Sequence, residues 1–335
     1  MIIPIRKAHK SSAYPGSGKT DIILLDSGND WEKLILQVKS TPTLAGASST
    51  PALTMLGDGL GVLTKFELVA GSQEPLWSLS GHQLRKYAEL WRGTRLRRSV
   101  NLGDAATANP PLIDVVPINF LADRSGNPFS SMLRTAGVKN LTARLTYGTF
   151  TDINSAASAF TTNPTVDIYA IEREPAAGYA PSWLKKVIGN QKAIGAASTQ
   201  FRFDLDPGPN YRRLIVTFRN AANTIDDSTI CTNLKLVADG YEYFNIPWRV
   251  LSDMGDYEAD QTPDHLDSAT FGLFRTNGEV SVNYIDAATA VIDIVTDGDL
   301  NSCLPTRGLG SFYLEAVTTA AGTMNVVQET FTPRG

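Results

Sequence analysis

A segment of this chain occurs twice. Leu25 to Ile35 reads LDSGNDWEKLI and recurs without a gap as Leu205 to Ile215, LDPGPNYRRLI. Both copies keep the Leu-Asp start, the glycine, an Asp or Asn before an aromatic residue and the closing Leu-Ile pair, while the residues between them change from acidic to basic. A repeat this widely spaced is typical of paired domains, because solenoids repeat every 20 to 50 residues or so. The sequence therefore predicts two related domains.

Length and composition agree with two domains and exclude several function classes. The chain has 335 residues, of which 42% are hydrophobic, so each domain can bury its own core. The net charge of -4 supplies no strong attraction for nucleic acid. The opening MIIPI precedes Arg6 and Lys7, the reverse of a secretory signal, and no apolar run reaches the ~20 residues of a membrane span. Cys231 and Cys303 are too few for a disulfide framework and are expected to be buried free thiols in a reducing cytoplasm.

Alternation of apolar and polar residues predicts strands in both halves. Asp21 to Leu25 and Trp31 to Val38 flank a Ser-Gly-Asn-Asp turn and are expected to form a half-buried hairpin. Val62 to Val69 is a further strand, and the segment Thr64 to Ala70 recurs in the second half as Thr232 to Ala238. The remaining predicted strands are 112–121, 138–150 and 165–171 in the first half, and 279–284, 290–295, 311–318 and 324–331 in the second.

Both copies change to a helical period after this strand. Ser80 and Gln83 have the spacing of a capping box. Apolar residues then recur at helical spacing as far as Trp91, and Gly93 can close the helix. In the second copy a helix is predicted to start near Pro247. Each half thus contains one short helix between its strands.

The break between the halves is expected at Glu174 to Gly178, followed by a connector over 183–197. This gives a first domain of residues 1–178 and a second of residues 179–335. Each half has seven or eight short strands, long loops and one helix, which suits a jelly roll better than an immunoglobulin-type sandwich. We therefore predict an all-β fold of two tandem eight-stranded jelly rolls with short inserted helices.

Ala13 to Thr20, AYPGSGKT, satisfies a relaxed phosphate-loop pattern. A phosphate loop requires a buried strand before it and a helix after it, whose N-terminal amides bind the phosphates. Here residues 6–12 are polar, and Asp21 to Leu25 reads as a strand. The sequence also lacks the alternation of strands with long helices that houses such a loop. We expect a lead-in to the first strand and no nucleotide site.

Residues that could support catalysis or bind metal are dispersed. The three histidines lack the spacing of a zinc site, and no Gly-x-Ser-x-Gly motif marks a serine nucleophile. Two acidic groups resemble calcium ligands or the paired acids of a glycosidase, although turn-forming aspartates in solvated loops explain them more simply. These groups are Asp253, Asp256, Glu258 and Asp260, and Asp293, Asp297 and Asp299. We expect no catalytic or cofactor-binding residue, and structural calcium stays open.

Two stretches are basic. The first is interpreted as a solvated face and comprises Arg92, Arg95, Arg97 and Arg98. The second comprises Arg6, Lys7 and Lys10 beside the isoleucines of the N-terminus, and it is the better match to anionic lipid headgroups. Arg6, Lys7 and Lys10 are therefore the candidate residues of a membrane-facing N-terminal arm.

The order of elements resembles the double jelly-roll major capsid proteins of tailless icosahedral viruses with an internal membrane. Within that lineage the first half is most similar to the bacteriophage members related to corticoviruses and Finnlake-type phages. The likeness rests on Pro15 to Gly18, Asp21 to Asp26, Leu34 to Thr41 and Leu76 to Leu84. The similarity between the two halves fades after Arg92.

The resemblance implies a structural protein with no enzymatic activity. Family members form homotrimers whose six jelly rolls build a pseudo-hexagonal block, and these blocks tile a shell over a lipid vesicle. The implied partners are other copies of the chain, minor capsid or penton proteins and the internal membrane, with no specific nucleic acid. The implied location is the virion, assembled in the host bacterial cytoplasm. Loops at 41–59, 97–110, 150–164 and 256–272 are expected to make the contacts between subunits.

Two other functions remain open from the sequence. A tandem β-sandwich carbohydrate-binding protein or glycoside hydrolase would share the strand pattern, although it would normally carry a secretion signal and aromatic platforms. A nucleotide-hydrolysing packaging motor is the third possibility, and it depends on the phosphate-loop pattern around Lys19.

Overall fold

The computed structural model describes residues 6–7, 11–44, 59–71, 74–92, 111–122, 127–153, 157–174, 181–222, 226–258, 288–295 and 299–334. The strands of the first half are β1 (Arg6–Lys7), β2 (Ser12–Ala13), β3 (Thr20–Leu24), β4 (Asp30–Leu44), β5 (Leu63–Ala70), β6 (Pro75–Leu79), β7 (Leu112–Asn119), β8 (Leu133–Arg134), β9 (Leu141–Tyr147) and β10 (Ala157–Arg173). Those of the second half are β11 (Trp183–Ile194), β12 (Ser198–Asp204), β13 (Asn210–Asn220), β14 (Cys231–Ala238), β15 (Tyr241–Pro247), β16 (Thr289–Asp293), β17 (Leu304–Pro305), β18 (Phe312–Thr318) and β19 (Gly322–Pro333). The helices are α1 (Gly81–Arg92) and α2 (Trp248–Glu258), and the 3-10 turns are Gly59–Val62, Pro128–Ser131, Phe150–Asp152 and Leu300–Ser302.

The two halves have the same strand order. In the first, β1-β10-β4-β7 form one sheet and β3-β9-β5-β6 the other. In the second, the equivalent sheets are β11-β19-β13-β16 and β12-β18-β14-β15. Two facing sheets of four strands in this order make a jelly roll. The prediction of an all-β double jelly roll with one short helix inserted in each half is confirmed.

Each half buries its own apolar core. Inward-facing residues of the first half pack around Trp31, Phe66 and Trp77, and those of the second around Tyr211 and Phe218. The strands alternate as expected for sheets that bury one face, with β9 and β18 both alternating buried and half-buried residues along their whole length. The alternation that predicted the strands therefore also selects the two cores.

The repeated segment forms a corner between two sheets, so the predicted hairpin is wrong. β3 pairs with β9, whereas β4 pairs with β10 and β7 in the facing sheet. Gly28 turns the corner at φ +145°, and its counterpart Gly208 does so at φ +128°, a region that favours glycine. The Gly28 amide donates to the Thr135 hydroxyl and the Gly208 amide to the Thr306 hydroxyl, each at 2.8 Å.

The predicted connector over 183–197 is also wrong, because residues 183–194 form β11. This strand runs antiparallel to β19 along its whole length. On its other side it pairs in parallel with β6 of the first half, with Val187 opposite Trp77 and Ile188 opposite Ser78. The pairing fuses one sheet of each jelly roll into a continuous sheet of nine strands.

Two of the predicted contact loops, 41–59 and 150–164, overlap strands of the first jelly roll. Residues 157–164, predicted as part of a contact loop, are the start of β10 and pair with the end of β4. Residues 41–44 likewise belong to β4. The predicted strand at 279–284, the loop at 97–110 and Gly93 lie outside the described residues.

Candidate assembly surfaces

The helix α1 joins the first jelly roll to the second. Its N-terminus is held by the predicted capping box, in which the Ser80 amide donates to Gln83 Oε1 at 2.9 Å and the Gln83 amide to Ser80 Oγ at 3.3 Å. Gln83 lies directly over Gly189 of β11, where an added Cβ would come within 2.2 Å of the Gln83 amide oxygen. Glycine at this position therefore lets the helix approach the second-half sheet.

A buried group of charges lies at the centre of this junction. Glu329 of β19 accepts a hydrogen bond from the Tyr87 hydroxyl of α1 and one from Arg212 Nη1 at 2.8 Å. Lys185 Nζ lies 3.7 Å from the same carboxylate and 5.4 Å from the centre of the Tyr87 ring. The Lys185, Arg212 and Glu329 side chains are almost fully buried. Buried charges are tolerated when they are paired in this way, and removing one partner leaves the other uncompensated.

A second charged cluster lies at the other end of the α1 contact. Asp226 is buried and lies 2.8 Å from Lys86 Nζ, 3.2 Å from His82 Nε2 and 3.3 Å from Arg219 Nε. Burial by itself would raise the pKa of Asp226, but its interactions with His82 and Lys86 outweigh burial and hold that pKa below its ordinary value. Burial lowers the pKa of His82 and so favours its neutral form, which leaves Lys86 and Arg219 as the cations that pair with Asp226. The two clusters tie α1 across the outer face of the second-half sheet.

Among the residues that the structure describes, large apolar side chains are exposed on three strands and one helix. They come in pairs and are Ile22 and Leu24 on β3, Ile113 and Val115 on β7, Tyr241 and Tyr243 on β15, and Val250 and Met254 on α2. The strands β3, β7 and β15 are edge strands of their sheets. Exposed apolar residues beside unpaired strand edges are typical of surfaces that contact another protein. Their spacing of two on strands and four on the helix is visible in the sequence, but only the topology identifies these elements as edges.

The predicted membrane-facing residues lie partly within the described chain. Arg6 and Lys7 form β1, antiparallel to β10 with Arg6 opposite Ala170 and Lys7 opposite Tyr169. Lys10 lies outside the described residues, as do Arg95, Arg97 and Arg98 of the other basic stretch. Within the described part of the chain, no helix is long and apolar enough to span a membrane.

The phosphate-loop pattern has the surroundings expected of a lead-in segment. Gly16 and Gly18 form a turn with positive φ, and Thr20 begins β3 rather than a helix. The Gly18 amide donates to the Tyr147 carbonyl at 2.7 Å, and the Tyr14 hydroxyl to the Gly148 carbonyl at 2.8 Å. The amide of Gly18 is therefore engaged by the protein itself, and the residues that follow the turn form a strand where a phosphate loop requires a helix.

The acidic groups do not converge where they are described. Asp293 forms an ion pair with Arg213 in the neighbouring strand, and Asp299 caps the 3-10 turn after it by accepting from the Asn301 amide at 2.9 Å. Asp253 is exposed on α2. Side chains of Asp256 and Glu258, and the whole of Asp260 and Asp297, lie outside the described residues. Among the described residues, no three His, Cys, Asp or Glu side chains come together as a metal site.

Cys231 and Cys303 are free and buried, as expected. Burial raises the pKa of each thiol to about 12. Since the thiolate is the reactive form, both side chains act as small apolar groups in the cores.

A groove of about 650 Å³ opens beside the junction, between β6, β8 and β11. Its floor is apolar and includes Leu76, Leu133 and Leu184. The charged side chains among the described residues that line it are Glu74, Lys186 and two arginines, so Glu74 is the one carboxylate in this lining. A glycosidase needs two carboxyl groups on either side of the scissile bond, and this lining does not provide the second one.

Comparison with solved structures places the fold among viral capsid proteins. The chain is 15% identical to the MCP of STIV, with a TM-score of 0.70 over 98% of this chain and 96% of that one. In the atomic structure of Sulfolobus Turreted Icosahedral Virus, a chain 16% identical matches with a TM-score of 0.72 over 98% and 90%. The major capsid protein P2 of bacteriophage PM2 is 14% identical, with a TM-score of 0.57 over 97% and 96%.

These structural neighbours are double jelly-roll major capsid proteins, and the match covers both halves of the chain. The likeness is one of fold, since the identities are low. No protein-family model and no curated protein matches the sequence.

Proposed function

We propose that this chain is the major capsid protein of a tailless icosahedral virus. Support comes from one observation above all: two jelly rolls of identical strand order are fused through a nine-stranded sheet, and this arrangement matches capsid proteins over nearly the whole chain. Rigid sandwiches with apolar edge strands suit a wall, which needs no cleft with titratable groups. The role is structural and not enzymatic.

In this proposal three chains form a trimer whose six jelly rolls make a pseudo-hexagonal block, and blocks tile the shell in the host cytoplasm together with minor capsid or penton proteins. Light scattering of the purified protein tests it. We expect a mass three times that of the 36.2 kDa chain, and hexagonal outlines in negative-stain images. A stable monomer at micromolar concentration would contradict the proposal, and hydrolysis of a labelled polysaccharide would support the glycosidase alternative instead.

We further propose that the shell encloses a lipid membrane and that Arg6, Lys7 and Lys10 face it. Each cation near an anionic bilayer contributes on the order of 1 kcal/mol to binding. The triple variant Arg6→Glu, Lys7→Glu and Lys10→Glu should lose co-sedimentation with phosphatidylserine vesicles.

A matched control for the vesicle test replaces three exposed lysines elsewhere on the chain with glutamate. These are Lys19, Lys65 and Lys139. The control variant should bind vesicles more strongly than the N-terminal variant does. Equal loss of vesicle binding by both variants would show that binding depends on net charge alone, and it would argue against a membrane-facing arm.

A further inference from the structure

The two helices occupy equivalent positions in the two jelly rolls but differ in what covers them. Gln83 and Tyr87 are the third and seventh residues of α1, and Val250 and Met254 are the third and seventh of α2. Tyr87 is 2% exposed because the second jelly roll covers it, whereas Met254 is 44% exposed. Gln83 is 6% exposed and Val250 47%. The surface that holds the two halves together on α1 is open on α2.

The strands that lead into the helices differ in the same way. Trp77 of β6 lies opposite Leu68, and Phe244 of β15 lies opposite Leu236, each just before a shift in strand register. The residues that precede them therefore correspond. Leu76 is 6% exposed, and its counterpart Tyr243 is 48% exposed. The edge of β6 is occupied by β11, while β15 is the outer strand of its sheet.

The opposite side of the junction shows the complementary difference. In the repeated segment, Ile35 lies opposite Pro117 of β7, and Ile215 lies opposite Val291 of β16. Val115 and Thr289, two residues earlier on these strands, therefore correspond. Thr289 is 2% exposed, whereas Val115 is 42% exposed. Val291 belongs to the apolar cluster of the first half, so the outer face of the second-half sheet is covered by the first jelly roll.

These differences define two matching open surfaces. The α2–β15 surface consists of Tyr241, Tyr243, Val250 and Met254. The β7–β10 face is the outer side of the first-half sheet and consists of Ile113, Val115, Tyr169 and Ile171. Together they hold six of the eight large apolar side chains that the described residues expose.

We propose that the α2–β15 surface of one copy docks on the β7–β10 face of the next, and so repeats between chains the junction that joins the two halves within each chain. The inference rests on the proposed self-assembly and names the surfaces that carry it. A contact between unlike surfaces generates a ring when its rotation closes. Three chains then present six jelly rolls joined by one kind of contact, alternately within and between chains.

The intrachain junction specifies which residues meet. Glu329 lies opposite Arg213 on β13, and Ile171 lies opposite Lys33 at the corresponding place on β4. Because Tyr87 contacts Glu329, its counterpart Met254 is expected to contact Ile171 of the next copy. Hydrogen bonding of a hydroxyl to a carboxylate is thus replaced by an apolar contact. By the same correspondence β15 would lie in parallel beside β1, an edge strand of its sheet.

A cross-linking experiment tests this placement. Met254→Cys combined with Ile171→Cys, treated with a short bismaleimide, should give covalent dimers and trimers on a denaturing gel. The native thiols are buried with a pKa of about 12, so they should not react. The control pairs Met254→Cys with Ile22→Cys, which is exposed on β3 and outside both surfaces, and it should stay monomeric on the gel.

A second pair of variants measures the strength of the contact. Val250→Glu with Met254→Glu introduces charges at positions that are already exposed, so the chain should fold with an unchanged circular dichroism spectrum. The trimer should dissociate at concentrations at least about 30-fold higher than for the wild type, as for loss of an interface hot spot. The matched control, Ile22→Glu with Leu24→Glu, should keep the wild-type mass.

The outcomes separate this inference from the proposed function. A wild-type trimer that gives no Met254–Ile171 cross-link, or that survives the α2 charges, would leave the capsid role standing and overturn the proposed surfaces. A wild-type monomer would overturn both. A trimer that cross-links and is broken by the α2 charges alone supports both.

Discussion

The surfaces of α1 and α2 differ in chemistry as well as in burial. α1 meets the second jelly roll through His82, Lys86 and Tyr87, which contact the buried carboxylates of Asp226 and Glu329. At the positions of Gln83 and Tyr87, α2 exposes the apolar Val250 and Met254. At the positions of His82 and Lys86 it has Arg249 and Asp253, whose charges are exposed to solvent. In a junction within one chain, both members of each buried ion pair are present whenever the chain folds. A surface that binds another copy is exposed to water before assembly, so ion pairs like those of α1 cannot form there in advance. Exposing apolar side chains before assembly costs less than burying an ion without its partner.

The first residues of the two helices differ for a steric reason. A Cβ at Gly81 would lie 1.8 Å from the Leu60 carbonyl oxygen, so only glycine fits beside the 3-10 turn Gly59–Val62. The corresponding residue of α2 is Trp248, which is buried with its ring edge-on to Phe218 at 4.8 Å. The two halves thus share a scaffold but fill the base of the helix differently, with backbone in one and a large ring in the other.

The largest expected effect comes from removing the buried carboxylate at the centre of the α1 junction. Glu329→Ala should lower the free energy of unfolding by about 3–5 kcal/mol, because Lys185 and Arg212 stay buried without the carboxylate that offsets their charges. Guanidinium unfolding followed by tryptophan fluorescence measures this loss. Glu315→Ala is the control, since its partner Lys235 is partly exposed and keeps Glu242 as a second partner, and partly solvated pairs of this kind contribute less than about 1 kcal/mol. Equal losses for the two variants would show that burial of the Glu329 cluster has no special weight.

A structural feature can be predicted from the sequence when local pattern determines it, and not when tertiary contacts determine which residue stands there. The Ser80 and Gln83 capping box and the double jelly roll were predicted correctly, because spacing and repetition are local signals. The sequence of residues 183–197 instead predicts a connector, although residues 183–194 form β11. Its alternation is interrupted by buried Lys185 and by Gly189, and both residues are explained by contacts with the first half. Lys185 donates to the Leu121 carbonyl and lies over the Tyr87 ring, and Gly189 lies beneath Gln83.

The assembly surfaces were missed for a related reason. Corner residues 25–30 have the composition of a hairpin turn, and only strand pairing shows that they cross between sheets. Without that crossing, β7 and β15 cannot be recognised as edges. The apolar pairs Ile113 and Val115, and Tyr241 and Tyr243, then look like ordinary half-buried strands.

A smaller effect should appear in the acid stability of the junction. The pKa of Asp226 is below its ordinary value, so as the pH falls the unfolded chain binds a proton at this residue before the folded chain does. Stability from this group is therefore complete above about pH 5 and is lost as the pH falls further. Asp226→Asn should cost about 1.5–3 kcal/mol at pH 7, because it removes the buried carboxylate charge that pairs with Lys86 and Arg219. Denaturant midpoints between pH 7 and pH 3 should show this difference narrowing.

The control for the acid experiment is Asp204→Asn. Asp204 pairs with Arg202 at the surface, where both side chains are at least half exposed, so its removal should change little at any pH. A difference between Asp226→Asn and the wild type that stays constant from pH 7 to pH 3 would contradict a lowered pKa at this residue.

The smallest effect is expected where α1 begins. Ser80→Ala removes the hydroxyl that accepts from the Gln83 amide and should lower stability by about 1 kcal/mol, whereas Ser80→Thr keeps the oxygen and should lose much less. α2 has Pro247 at the corresponding place, which has no side-chain oxygen, and its first turn is instead fixed by the buried Trp248 ring. Trp248→Ala should therefore cost more than Ser80→Ala, as expected for a large core residue. Thermal unfolding of the three variants measures the order, and a larger loss from Ser80→Ala than from Trp248→Ala would contradict the view that packing of Trp248 stabilises its half more than the Ser80 cap stabilises α1.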